Sequence, residues 1–258
     1  MKKISLIFLS LFSPLYSLYV GNPSAPCYLQ DGILIEKKPG FSIRAGYLTE
    51  YIYQASFIDE FDTTQTTRTN ASISTISGMA ILNVLDRWDL YAIIGTSRLK
   101  MDQLIEANRN LSWAVGTTAT MFKGEKFSLG ADLKYFETDQ KPDFFLINGV
   151  VRPIEGNFVL QIQEIQAALA GSYNIGNFVP YIGVTYLFSK INPIPTLGLI
   201  SIPERNLFLQ FEANTSINHK KIGIVLGTSL VSDKKMSLNV ETRMVDQNAI
   251  NVSGQLRF

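Results

Sequence analysis

The residues best able to do chemistry are few in this sequence. His219 and Cys27 are the only histidine and the only cysteine among 258 residues. His219 lies in the predicted turn "NHKK", which indicates a solvated position. A hydrolase needs a base beside a nucleophile, and a zinc site needs further His or Cys ligands. No phosphate-binding or dinucleotide-binding fingerprint occurs either. The sequence therefore predicts no enzyme activity, metal site or cofactor.

Charged residues at alternate positions of predicted strands are the stronger candidates. Successive strand residues point to opposite faces, and these charges share one face with Gly, Ala and Ser. Such a face either lines a wet lumen, where charges set ion preference, or pairs across strands for stability. Five acidic and four basic residues predict weak selectivity. The nine candidate pore-lining residues are Arg44, Glu50, Asp132, Lys134, Glu164, Glu212, Glu241, Arg243 and Arg257.

The segments that carry these charges alternate apolar and polar residues with a period of two. Examples are Phe127–Tyr135, Ile222–Leu230 and Met236–Met244. They run for about 10 to 13 residues, the length of a tilted strand that spans a membrane. A soluble sheet has shorter strands and a more highly charged outer face. The pattern therefore favours a transmembrane antiparallel β-barrel over a soluble β-protein.

Composition and the first residues agree with an exported membrane protein. The chain is 46% hydrophobic and 17% charged, with net charge +1, so nucleic acid is not an expected partner. Lys2 and Lys3 precede a short apolar run, which predicts a signal peptide over residues 1–17. Cys27 lies well beyond the predicted cleavage point, which argues against a lipoprotein. We expect an N-terminal segment at 18–40 and the barrel at 41–258.

The connections between predicted strands alternate between short and long, as periplasmic turns and extracellular loops do. Short ones lie near Asp86–Arg87, Lys123–Lys126, Asn174–Asn177 and Asn218–Lys220. Long ones are Ser56–Asn70, Leu99–Asn110, Thr138–Val159 and Lys190–Arg205. The strands then number eleven, which would leave the C-terminus outside, whereas bacterial barrels have even strand numbers and a periplasmic C-terminus.

An additional strand at Thr196–Pro203, with a periplasmic turn at Pro203–Asn206, repairs this parity. We therefore predict about twelve strands, within a range of 12–16. The Asn148-Gly149 pair in the loop Thr138–Val159 indicates either a hairpin within the loop or two further strands. This loop either folds inward to narrow the channel or covers the outside, and its apolar residues favour packing at the barrel mouth or on a neighbouring subunit.

The C-terminus alternates up to its last residue, Phe258. Closing a barrel requires the last strand to pair with the first, which removes the free edges. The final strand is therefore predicted to close the barrel.

Several blocks of the chain resemble the chlamydial major outer membrane protein family. They include "FSIRAGYLTEYIY", "LNVLDRWDLYAIIGTS" and "VPYIGVTY", and the terminal block "GIVLGTSLVSDKKMSLNVETRMVDQNAINVSGQLRF". The resemblance implies an outer-membrane porin, commonly trimeric, that passes small solutes and ions and is a main component of the wall. Separately, the terminal Phe258 resembles the signal that the bacterial barrel-insertion machinery reads. The family is cysteine-rich and disulfide cross-linked, whereas this chain has only Cys27, which allows at most one intermolecular bond.

Two functions remain open on the sequence. The first is passive diffusion of small solutes and ions through a water-filled barrel in the bacterial outer membrane. The second is a narrow, side-chain-filled barrel that serves as a surface structural or adhesin-like protein. Barrels of about 8 strands are filled by side chains and those of 16–18 strands leave a channel, so a barrel of about twelve strands lies between these cases.

Overall fold

A computed structural model describes residues 21–29, 40–60, 68–102, 105–147, 150–202 and 207–258. The predicted signal peptide, 1–17, lies outside the described residues, as do most residues of the segment 18–40. No helix in the described part of the chain is long and apolar enough to cross a membrane.

The described residues form one short 3-10 turn, Ala25–Cys27, and sixteen β-strands. The period-two alternation of their sequences explains this, because it gives each strand one apolar and one polar face. The strands are β1 (Phe41–Asp59), β2 (Arg68–Val84), β3 (Trp88–Met101), β4 (Ile105–Ala107), β5 (Asn110–Lys123), β6 (Phe127–Gln140), β7 (Pro142–Ile147), β8 (Val150–Glu155), β9 (Val159–Tyr173), β10 (Phe178–Ile194), β11 (Leu197–Ile202), β12 (Leu207–Glu212), β13 (Ser216–Asn218), β14 (Ile222–Ser232), β15 (Met236–Met244) and β16 (Gln247–Arg257).

Ten of these strands close an antiparallel barrel within the described chain. Their order is β3, β2, β1, β16, β15, β14, β10, β9, β6 and β5, and β5 pairs back to β3. The last strand pairs with the first from Arg44 opposite Arg257 to Ala55 opposite Gln247. The Phe258 amide also donates to the Ile43 carbonyl, at 2.9 Å. The predicted closure by the C-terminal strand is therefore confirmed.

The barrel wall has an apolar outer face and a mostly polar inner face. Ile94, Ile182 and Leu133 point outward and are 65%, 60% and 52% exposed. Ile93, Tyr181 and Lys134, each the next residue along the strand from one of them, point inward and are buried. Such an apolar outer band is what lipid requires of a strand that crosses the bilayer. The predicted all-β transmembrane barrel is thus confirmed.

The two ends of the barrel differ. At one end, which we call the short-turn end, the strands are joined by turns at 85–87, 124–126, 174–177 and 233–235. Both the described N-terminal residues and the C-terminus lie there. At the other, the long-loop end, β4, β7, β8, β11 and β12 extend the sheet beyond the barrel. Within the predicted loop Thr138–Val159, β7 and β8 form a hairpin, as one of the two sequence interpretations proposed.

The prediction of barrel strands at Thr196–Pro203 and Leu207–Ile217 is wrong. β11 and β12 pair with each other, and β11 reaches the rest of the sheet through β8. The physical reason is that β10 pairs directly with β14 from Phe178 to Tyr186, which leaves no space for two strands between them. The predicted turn at Pro203–Asn206 lies outside the described residues. Among the described residues ten strands close the barrel and sixteen form the sheet, so the predicted number of about twelve fits roughly.

β13 is a short strand that changes the strand count along the barrel. It pairs with β1 at Phe57–Asp59 and with β10 at Lys190 and Ile191. Nearer the short-turn end, β16, β15 and β14 lie between β1 and β10. Toward the long-loop end, β13 therefore takes the place of β14, β15 and β16 between β1 and β10.

Candidate lumen and its charged layer

The barrel interior contains eight of the nine charged residues that the sequence singled out. The strand pleat turns each of them inward, and all eight are less than 5% exposed. Glu212 is the exception, because it lies on β12, outside the closed barrel, and is exposed. Its prediction as a pore-lining residue is therefore wrong. The eight, which we call the charged layer, are Arg44, Glu50, Asp132, Lys134, Glu164, Glu241, Arg243 and Arg257.

Each of the three interior arginines forms an ion pair with an aspartate. Arg44 pairs with Asp89, and Arg243 pairs with Asp246 through two of its nitrogens. Arg257 lies 3.0 Å from Asp86 and also donates to the Leu29 carbonyl. A guanidinium group suits such buried pairs because its planar fork matches a carboxylate.

Sequence reasoning missed these aspartates. Asp89 lies between the outward-facing Trp88 and Leu90, so alternation alone was sufficient to place it inside. Asp246 and Asp86 lie in turns, where the period of two gives no direction. Their positions depend on how the turns fold toward the lumen.

Hydrogen bonds from neutral side chains hold three of the remaining interior carboxylates. Tyr181 donates to Glu241 at 2.8 Å, Thr118 to Asp132 at 2.7 Å and Ser189 to Glu164 at 2.7 Å. Tyr91 also donates to Asp132, at 3.0 Å. These donors fix the positions of the carboxylates without neutralising their charge.

Two glycines make room for the tyrosines that reach into the lumen. A Cβ atom at Gly227 would overlap the Tyr181 ring, and one at Gly116 would overlap the Tyr91 hydroxyl. The cross-strand register places Gly227 directly opposite Tyr181. Small residues on the inner face therefore also leave space for large side chains from neighbouring strands.

Lys134 is the one lysine of the charged layer. It points into the barrel from β6 and is 4% exposed. Together with Glu50 it lines a small cavity of about 10 Å³, to which Thr75, Ser77 and Ser112 also contribute. The carboxylates that interact electrostatically with Lys134 are Glu50, Asp132, Glu164 and Glu241.

The interior near the long-loop end is apolar. Ile52, Phe57, Leu99 and Ile162 are at most 1% exposed and belong to one cluster, which also contains Phe158 from the segment after β8. We call this set the apolar cluster. Side chains therefore fill the barrel on this side of the charged layer.

The N-terminal residues 21–29 lie inside the short-turn end. The Asn22 amide donates to Ser229 at 3.2 Å, and Tyr28 shares a 2.7 Å hydrogen bond with Ser172. Leu29 packs on Val179 and Val231. The segment partly fills the mouth, beside an open cavity of about 520 Å³ that Lys123, Glu125 and Lys234 help to line.

Cys27 is buried in this segment. Its thiol donates to the Ser24 carbonyl at 3.1 Å, and burial raises the pKa of the thiol above that of an exposed cysteine. Its side chain is 2% exposed, which keeps the sulfur away from other molecules in this arrangement. The reduced thiol here acts as a packing group.

Comparison with known proteins relates this barrel to one family. A family model described as Chlamydia major outer membrane protein matches residues 206–258. The major outer membrane porin of serovar E of Chlamydia trachomatis is 24% identical, with 97% of both chains covered. The serovar D porin of the same organism is 23% identical with the same coverage. The resemblance to the major outer membrane protein family is confirmed.

This relationship, together with the barrel fold, places the chain in the bacterial outer membrane. The alignment with the serovar E porin runs over 380 positions, whereas this chain has 258 residues. The difference consists of segments that this chain lacks. Both relatives are named as major outer membrane porins.

Solved outer-membrane barrels overlap with the chain more loosely. The outer membrane protease OmpT of Escherichia coli aligns with 84% of this chain and 94% of its own, at 8% identity and a TM-score of 0.44. The translocator domain of the autotransporter NalP of Neisseria meningitidis aligns with 86% of this chain and 88% of its own, at 12% identity and a TM-score of 0.46.

Proposed function

We propose that this chain is an outer-membrane porin through which small ions and solutes diffuse passively, and that it also contributes to the structure of that membrane. The observation that carries the proposal is the buried charged layer inside the barrel. Burying charges costs free energy that their pairing recovers only in part, and apolar residues of similar size are often as stable or more so. A polar layer is what a path for hydrated solutes requires.

The channel is expected to be narrow. Ten strands exceed the about 8 of barrels filled by side chains but fall short of the 16–18 of open porins. Each residue of the charged layer is less than 5% exposed, so side chains must move for a solute to pass. The conductance of a single channel should therefore be low.

A second candidate function is a structural surface barrel without significant conductance. The apolar cluster at the long-loop end favours it, as does the N-terminal segment at the short-turn end. An apolar constriction in a channel can stop ion flow by excluding water. Both functions are consistent with a passive protein that catalyses no reaction.

Recordings of the purified, folded protein in planar lipid bilayers separate the two. The porin proposal predicts small, reproducible conductance steps. Leu99→Ser should enlarge the steps, because a hydroxyl group in the apolar cluster helps water to enter. Leu90→Ser, on the lipid-facing side of the same strand, is the matched control and should leave them unchanged. Folded protein that gives no steps would favour the structural function instead.

The proposed partners follow from this function and from the relatives. The apolar outer face meets outer-membrane lipid, and the solutes pass through the lumen. We also propose a homo-oligomer, a trimer by family resemblance, and insertion by the barrel-assembly machinery through Phe258. Cross-linking of intact membranes followed by denaturing electrophoresis tests the trimer, and a purely monomeric pattern would contradict it.

A further inference from the structure

We infer that the central constriction of this barrel selects small monovalent cations, and that the ammonium group of Lys134 stands at the position these cations use. This inference rests on the proposed porin function for its electrical consequences. It also makes a prediction about cation binding that requires no ion flow.

The first argument is the distribution of charge. The three interior arginines are neutralised by Asp89, Asp246 and Asp86. The remaining charges within the described barrel interior are one lysine and four carboxylates, which gives a formal charge of −3. The sequence alone predicted weak selectivity because it counted the arginines as free positive charges. The four carboxylates are Glu50, Asp132, Glu164 and Glu241, and each attracts the ammonium group of Lys134 electrostatically.

The second argument concerns oxygen atoms that lack hydrogen-bond partners. The hydroxyl oxygens of Thr75, Ser77 and Ser112 are buried and have no hydrogen-bond partner in the structure. All three line the cavity that contains Glu50 and Lys134. A buried oxygen without a partner costs free energy, and a small hard cation or water satisfies it. Oε2 of Glu164 is likewise buried without a hydrogen-bond partner.

The third argument is the size and composition of this cavity. Its volume of about 10 Å³ is at the lower limit for one water-sized occupant. Among the described residues, no three Asp, Glu, His or Cys side chains converge to hold a metal ion. Glu50 is the one carboxylate in the cavity lining, beside the hydroxyl oxygens of Thr75, Ser77 and Ser112, and the rest of the lining is apolar or aromatic: Leu48, Ile93, Trp113, Ala114 and Phe136. One carboxylate with several neutral oxygens suits a monovalent cation better than a divalent metal. The ammonium group of Lys134 carries the same charge.

The electrical test measures the reversal potential in a KCl gradient across a planar bilayer. The wild-type protein should favour potassium over chloride. Lys134→Gln should raise that preference roughly five-fold, the effect of about 1 kcal/mol from one unit charge a few ångströms away. Glu50→Gln should lower it. Glu212→Gln, outside the barrel, is the matched control and should change nothing. A wild-type protein that conducts without cation preference would overturn the inference while leaving the porin function intact.

The binding test needs no conductance. Thermal unfolding in detergent is followed by circular dichroism in sodium chloride and in the chloride of N-methyl-D-glucamine, a cation too large for the cavity. Lys134→Gln should unfold at a higher temperature in sodium, because sodium then replaces the ammonium group, and the wild type should show little difference. Equal melting temperatures of Lys134→Gln in both salts would overturn the proposed cation site.

If Lys134→Gln does not fold, the double variant Lys134→Gln/Glu50→Gln, which preserves the total charge, should fold but show no sodium effect. A sodium effect in the double variant would also overturn the site.

Discussion

Arg44 on β1 and Asp89 on β3 form an ion pair across the intervening strand β2, inside the barrel. Both side chains are at most 6% exposed. Arg44 also donates to Gln255 on β16, at 3.2 Å. Through these two contacts Arg44 joins β1 to β3 and β16, across β2 on one side and directly at the closure of the barrel on the other.

Removing one partner of this pair should destabilise the barrel strongly. Arg44→Met or Asp89→Asn leaves the other charge buried without its partner, which typically costs about 3–5 kcal/mol. The double variant should lose less than the sum of the two single changes. Urea-induced unfolding in lipid vesicles, followed by tryptophan fluorescence, measures each free energy of unfolding. Additive effects in this double-mutant cycle would show that the ion pair does not stabilise the barrel.

The position of residues 21–29 in the short-turn end should depend on Gly130. A Cβ atom at this position would overlap the backbone of Pro23. Gly130→Ala should therefore displace the segment and expose Cys27. Because burial raises the thiol pKa, the wild-type Cys27 should react slowly with iodoacetamide, which attacks the thiolate. Its rate should still be rising with pH where the rate of an exposed thiol has levelled off.

The predicted change in Gly130→Ala is an increase of about ten-fold or more in the alkylation rate at pH 8. Gly78→Ala is the matched control, since a Cβ atom at Gly78 has no neighbour within 4 Å. Equal rates in the wild type and in Gly130→Ala would show that the segment does not depend on this glycine. The measurement uses mass spectrometry of the folded protein.

Alternation predicted the barrel wall well because lipid on one side and a wet interior on the other impose a period of two. It correctly placed Phe41, Ile43 and Tyr47 outside and Arg44 and Glu50 inside. It was misleading for Leu207–Ile217, which alternates just as clearly. A hairpin outside the barrel and a membrane strand share this period, and only the long-range pairing of β10 with β14 separates them.

The sequence predicted which charged residues face the lumen, but it did not predict which of them form ion pairs with one another. Lys134 and its four carboxylates all came from the inner-face pattern. The alternation pattern did not predict that the arginines are neutralised, because their partners Asp86 and Asp246 lie in turns. Barrel closure brings strands that are distant in sequence to opposite sides of the lumen, and a single sequence without the strand register does not encode those contacts locally.

Deleting the β11–β12 hairpin should leave the barrel intact. The Ala213 amide donates to the Thr196 carbonyl at 2.8 Å, so the ends of the hairpin are adjacent and a two-residue glycine linker can replace 197–212. The variant should still migrate as a compact, heat-modifiable band in electrophoresis. A matched deletion of the β14–β15 hairpin, 222–244, removes two wall strands and should abolish that band. Loss of the compact form in the first deletion would show that β11 and β12 belong to the barrel wall.

The two ends of the barrel should differ in accessibility from outside the cell. In a Cys27→Ser background, Lys220→Cys lies at the long-loop end and Asp233→Cys at the short-turn end, and both positions are exposed. If the long loops are extracellular, a membrane-impermeant maleimide should label position 220 in intact cells. It should label position 233 only after the outer membrane is permeabilised. Labelling of position 233 in intact cells would reverse the orientation.

Deleting Phe258 should impair assembly more than it changes the channel. The residue pairs its backbone with Ile43, and its ring is 39% exposed on the outer face at the short-turn end. Phe258 therefore contributes little to the lumen, whereas a terminal aromatic on the closing strand is available to the insertion machinery. The fraction of heat-modifiable protein in isolated outer membranes should fall several-fold, while molecules that do insert should show unchanged conductance steps. Phe41→Ala removes another exposed phenylalanine at the same end and should insert normally, because it keeps the C-terminal residue. Normal insertion of the truncated chain would show that Phe258 is only a wall residue.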